Sequence, residues 1–147
     1  GGRLKRIEKF IDTDNFMLTY GDGVSSVNLE LLKQFHENEN TIATVTAVRP
    51  PARFGELQIN DNRVTSFEEK PQMQRGWING GFFVFNKDIF KYIKEDLTVL
   101  EREPLESVAK SGKMSAYKHY DFWQCMDNKR DLEFLTNIVR SNKVPWK

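Results

Sequence analysis

The sequence predicts an α/β domain carrying an inserted antiparallel piece. Segments with helical apolar spacing alternate with short runs rich in β-branched and aromatic residues, the pattern of layered α/β architecture. Midway, two alternating runs flank a turn-forming Asn60-Asp61-Asn62 cluster, which reads as a hairpin. The length, 147 residues at 39% hydrophobic, suffices for one ordinary core.

The elements follow in order. Leu4, Ile7 and Ile11 are spaced for one buried helical face and no starting segment precedes them, so the chain is expected to open in mid-fold. "NFMLTY" (Asn15 to Tyr20) is a short apolar strand closed by Gly21-Asp22-Gly23. Leu29, Leu32 and Phe35 recur at helical spacing behind a candidate N-cap, Asn28, and His36 falls on the side expected to be exposed. "TIATVTAV" (Thr41 to Val48) reads as a strand buried on both faces, and Pro50-Pro51 stops it. After the hairpin comes "GGFFVFN", too apolar for a solvated face. Two short helices follow, Asp88 to Lys94 and Pro104 to Lys110, with Gly112 ending the second. "KMSAYKH" is a late strand. The last helix places Leu132, Leu135, Ile138 and Val139 on one side.

Composition narrows the function classes. Lys and Arg total 22 against 21 acids, and a net charge of +1 gives no electrostatic case for nucleic acid or an anionic membrane. No apolar run approaches the roughly 20 residues of a membrane helix. Cys125 is the only cysteine, so no intrachain disulfide forms, and a reduced, cytoplasmic setting is expected. Neither histidine has a partner at metal-ligand spacing, and no nucleophile stands out.

Chemistry is expected at the carboxyl ends of the strands, where α/β sheets gather ligands. Asp22 is at such an end. It reads either as a turn residue or as a ligand for Mg²⁺, with glycines on both sides leaving the approach open. A second carboxylate would come from Asp127 in "FWQCMDNKRD", whose alternative is to cap the last helix; Asp131, one turn inside, reads as a surface charge or one favoured by the helix dipole. Asp12-Thr13-Asp14 spells a D-x-D, but at the amino end of a strand, so it reads as a solvated turn. In "FEEKP", Pro71 forces Lys70 into an extended pose from which it can reach a phosphate; an ordinary exposed lysine is the alternative. Asn79-Gly80-Gly81 suggests backbone close to a ligand with a free Asn amide, or a β-bulge. Trp77 and Trp123 read as stacking platforms or as core.

Taken in order, "YGDGV", "RFGEL", "FEEKP", "INGGFFVF" and "FWQCMD" resemble the sugar-1-phosphate nucleotidylyltransferase family across essentially the whole chain, and within it the members that use CTP. The resemblance implies a Rossmann-like three-layer fold with a mixed, mostly parallel sheet. It also implies a reaction: CTP and α-D-glucose 1-phosphate give CDP-glucose and pyrophosphate by Mg²⁺-assisted in-line displacement. By residue, it implies Asp22 and Asp127 as metal ligands and Lys70 on the sugar phosphate. Glu69, Gly55, Asn79 and Gly80 would surround the sugar, and Gly2, Arg3 and Gly21 would lie near the nucleotide. Homo-oligomeric assembly and a role in surface-polysaccharide biosynthesis come with it.

Two local departures stand near the metal motif: Asp127-Asn128-Lys129 replaces the usual "MDT", and Cys125 stands where proline is common. The family's glycine-rich G-G-x-G-T-R-L segment, whose backbone N–H groups would cradle a triphosphate, does not occur. The expectation is therefore the carboxyl-terminal, sugar-phosphate- and metal-binding half of one domain, inactive without its amino-terminal half. A non-catalytic sugar-phosphate-binding or regulatory subunit is the alternative from another class.

Overall fold

A computed structural model describes residues 1–50, 55–69 and 76–146. Lys70 and Pro71, along with Arg53 and Phe54, lie outside them. Helix α1 (Gly2–Ile7) runs into a 3₁₀ turn at Glu8–Phe10. It is followed by β1 (Asn15–Thr19), β2 (Gly23–Ser25), α2 (Leu29–Glu39) and β3 (Ala43–Val48). The hairpin is β4 (Glu56–Asn60) and β5 (Arg63–Glu68), and its turn residue Asp61 adopts φ 52°, a left-handed value that Asp tolerates better than most residues. Then come β6 (Ile78–Asn86), a 3₁₀ helix at Lys87–Tyr92, α3 (Glu103–Lys110), β7 (Met114–Lys118), β8 (Trp123–Cys125) and α4 (Lys129–Arg140).

The main sheet has the order β1-β6-β3-β7. Strand β6 is antiparallel to both β1 and β3, while β3 and β7 are parallel. Three strands therefore point one way and β6 the other, which makes the sheet mixed, with two of its three pairings antiparallel. The carboxyl ends of β1, β3 and β7 share one rim with the amino end of β6.

Strand alternation assigns the two faces. Phe83 and Phe85 stack at 5.2 Å between ring centroids and join Leu4, Ile89, Phe90, Leu105 and Val108 in the core under α1, the 3₁₀ helix and α3. On the opposite face, α2 packs Leu32 and His36 over Thr44. Helices on both faces make the three layers.

Two burial expectations are corrected. His36 is 2% exposed, not on the open side of α2, because Leu32 and His36 are one helical turn apart and both face the sheet. Its Nδ1 lies 2.7 Å from the Thr44 hydroxyl, which continues to Ser115 at 2.7 Å and on to Thr41 at 3.0 Å. Burial lowers its pKa. In α4, Leu135 is buried but Leu132 and Val139 are about half exposed, so the anticipated apolar side is only partly covered.

Candidate active site

Strands β2 and β8 assemble the site from segments a hundred residues apart. Gly23 pairs with Cys125 and Ser25 with Trp123, and the Met126 N–H donates to the Asp22 carbonyl at 2.9 Å. Asp22 is thus the backbone neighbour of the residue before Asp127, and both carboxylates are exposed. An alanine Cβ at Gly21 would meet no atom within 4 Å, which leaves the approach to Asp22 open. Asp12 and Asp14 precede β1 and occupy the opposite rim, as the sequence indicated.

Asp127 does not cap α4. That role belongs to Asn128, whose side chain accepts from the Asp131 N–H at 3.1 Å, and Asp131 returns a carboxylate oxygen to the Asp127 N–H at 3.3 Å. This reciprocal cap explains why Asp131 is 4% exposed: it is not a surface charge, but an acid in the first turn of α4, where the helix dipole favours it. The departure from "MDT" therefore has a structural role in helix entry. The Cys125 thiol donates to Asp127 Oδ2 at 3.1 Å, and ligand atoms of Cys125, Asp127 and Asp131 all lie within 4.8 Å of one another. Exposed carboxylates with an open approach are the kind of donor a hard cation takes, and Asp22 and Asp127 both have that chemistry.

The Asp22 side opens into a cleft of about 640 Å³ lined by Gly2, Arg3, Tyr20, Gly21, Asp22 and Glu101, among others. It brings together four of the predicted positions. Gly2, however, has an internal reason to be glycine: a Cβ there would overlap the Asp96 carbonyl, and its N–H donates to the Thr98 carbonyl at 3.0 Å.

Across β6, the Asn79-Gly80-Gly81 segment resolves in favour of the bulge. The β3–β6 register shifts between Val45 and Ala47, and a Cβ on Gly80 would sit 2.9 Å from the Thr46 carbonyl. Gly81 has φ +77° and faces the Tyr20 ring at 2.8 Å from an added Cβ. Nor is the Asn79 amide uncommitted: its Oδ1 accepts from the Gly81 N–H at 2.8 Å and its Nδ2 donates to the Tyr20 hydroxyl at 3.1 Å. Trp123 donates Nε1–H to the Gly80 carbonyl at 2.7 Å, a packing role within the rim. Gly55 and Glu69 do come together, since a Cβ on Gly55 would lie 3.1 Å from the Glu69 carboxylate.

Tyr20 and Glu101 went unnoticed in the sequence. Tyr20 donates its hydroxyl proton to Glu101 at 2.6 Å, and burial, with the Glu101 carboxylate next in importance, pushes its pKa up to about 12. The phenol therefore stays neutral at the site and ties the β1 rim to the loop before α3. The only advance sign was an aromatic residue beside the Gly-Asp pair.

The chain belongs to the nucleotidyl transferase family, whose model matches residues 3–129. It is 43% identical over its whole length to the glucose-1-phosphate cytidylyltransferase of Salmonella typhimurium, of which it spans 58%. Against the probable glucose-1-phosphate cytidylyltransferase of Bacillus subtilis it is 36% identical over 99% of its residues, again spanning 58% of that protein. In structure it is similar to a putative glucose-1-phosphate thymidylyltransferase from Bacillus anthracis, with a TM-score of 0.66 at 22% identity. That match covers 93% of this chain and 59% of the other. No helix among the described residues is long and apolar enough to cross a membrane.

Proposed function

We propose that these residues form the sugar-phosphate and metal side of an enzyme that transfers a cytidylyl group from CTP to α-D-glucose 1-phosphate, releasing pyrophosphate. The observation that carries this reading is the β2–β8 ladder, which joins the Asp22 backbone to Met126, next to Asp127, with Asp22 on the wall of an open cleft. The identity to named glucose-1-phosphate cytidylyltransferases supports the choice of base and sugar.

In this reading a sugar-phosphate oxygen attacks the α-phosphorus of CTP in line, the bond to the pyrophosphate oxygen breaks, and no covalent enzyme intermediate forms. Bound Mg²⁺ would supply charge neutralisation on the phosphate oxygens. The chain's own contribution is orientation. Asp22 and Asp127 would hold the cation, Arg3 would face the nucleotide, Gly21 would admit it without a Cβ, and Gly55, Glu69 and Asn79 would border the sugar. Lys70 would meet the sugar phosphate as a point charge. The triphosphate cradle would come from polypeptide outside these 147 residues, and the intact enzyme would act in the cytoplasm as a homo-oligomer.

Pyrophosphate release by the protein at its full natural length, with glucose 1-phosphate and each of CTP, UTP, dTTP and GTP in turn, tests this. Turnover preferring CTP is expected, with no CDP-glucose formed by the 147 residues alone. Binding of glucose 1-phosphate without turnover of any nucleotide would favour a non-catalytic subunit instead.

A further inference from the structure

We propose that Arg49, Lys118 and Trp77 form a phosphoryl-binding site separate from the Asp22 and Asp127 centre. This inference stands independently of the nucleotidyl-transfer reading.

Three strand ends on the catalytic rim create the cluster. Arg49 follows β3 directly, Lys118 ends β7 opposite Ala47, and Trp77 precedes β6, whose Ile78 pairs with Val48. The Arg49 guanidinium lies 4.5 Å from the centroid of the Trp77 ring, and the Lys118 ammonium 5.7 Å from the same centroid. Tyr120, largely exposed, meets Trp77 edge to face at 5.3 Å. One ring therefore organises two cations.

Among the described residues no carboxylate pairs with Arg49 or Lys118, and Arg49 Nε is buried without a hydrogen-bond partner. Stacking on Trp77 attracts the guanidinium but leaves the two positive charges mutually repulsive. It also holds the guanidinium in place, and among the described residues its terminal N–H groups make no hydrogen bond, which leaves them for a phosphate that arginine can take bidentately. An anion bridging Arg49 and Lys118 would relieve the repulsion and use these donors. A phosphoryl group matches in charge and in acceptor number.

The site is distinct from the metal centre because β3 lies two strands, about 10 Å, from β1 in the sheet order. Phosphoryl groups reach such a rim on a sugar phosphate or on a nucleotide, and the test separates these sources.

Trp77 is its own reporter. The 147-residue chain is titrated in metal-free buffer at constant ionic strength with inorganic phosphate, glucose 1-phosphate, CTP, and glucose with chloride as controls, following tryptophan emission. Saturable change with the phosphorylated ligands and none with the controls is expected; tighter binding of glucose 1-phosphate assigns a sugar phosphate, and tighter CTP a nucleotide. Arg49→Ala should weaken binding roughly ten- to hundredfold, the range for losing a charge-assisted pair. Lys118→Ala, at an exposed side chain that cannot cost the fold, should weaken it about two- to fivefold. Trp77→Phe should remove the signal although Trp123 and Trp146 remain. The proposal fails if no phosphorylated ligand saturates, or if Lys118→Ala binds with unchanged affinity.

Discussion

Replacing Tyr20 with phenylalanine removes one oxygen from the rim and nothing else. The ring stays against Phe83, at 5.6 Å between centroids, and over Gly81, so no cavity opens. Two hydrogen bonds are lost, one donated to the Glu101 carboxylate at 2.6 Å and one accepted from Asn79 at 3.1 Å. A bond to a charged acceptor contributes about 1.5–3 kcal/mol and a neutral one about 1 kcal/mol. Glu101 is exposed and regains water when its partner goes, which cuts the first figure by roughly half; Asn79, also exposed, does likewise. The expected destabilisation is about 1–2 kcal/mol, read from urea unfolding at pH 7. A double-mutant cycle with Glu101→Gln should return a coupling of about 1 kcal/mol, since the pair shares one bond. Because the folded phenol holds its proton to about pH 12 against 10.0 ordinarily, the unfolded chain ionises first. Stability should therefore fall as pH rises through that window, more steeply than in Tyr20→Phe. A loss below about 0.3 kcal/mol with zero coupling would refute the claim that this hydroxyl ties the rim together, since that lies within the additivity error.

Other perturbations separate the roles of neighbouring residues. His36 is kept neutral by burial, so the unfolded chain takes up its proton first as pH falls below the ordinary 6.5. Stability should decline from there toward the lower folded value, and His36→Gln should flatten that decline in urea midpoints. Gly81→Ala forces a left-handed φ and a clash with Tyr20, costing about 1–3 kcal/mol, whereas Gly21→Ala, with open space around it, should change thermal stability by less than about 0.5 kcal/mol.

The long, strongly patterned elements were readable because their burial is local. Strand β3 announced itself through β-branched residues buried on both faces, and the hairpin through its turn cluster. Asn28 was recognisable as a cap because capping acts within one turn, and its side chain accepts from the Leu31 N–H at 3.0 Å. Strands β2 and β8, three residues each, carry too few positions for any period to show, and each exists only through pairing with the other. His36 and Asp131 were misplaced for a related reason. A polar residue enters the core when a partner satisfies it, and here the partners are Thr44 on another element and the Asp127 N–H across a helix entry. The acids Asp22 and Asp127 could be named from their motifs, but their shared rim depends on the β2–β8 ladder. The committed state of Asn79 depends on Tyr20, 59 residues away.

The central claim is that Asp22 and Asp127 hold one cation together. Calorimetric titration of Mn²⁺ into the chain, with Asp22→Asn, Asp127→Asn and Asp12→Asn alongside, addresses it directly. One site is expected, weakened at least about tenfold by either of the first two changes, as loss of a carboxylate ligand requires, and untouched by the third. Unchanged affinity in Asp22→Asn, or loss in Asp12→Asn, would contradict the account.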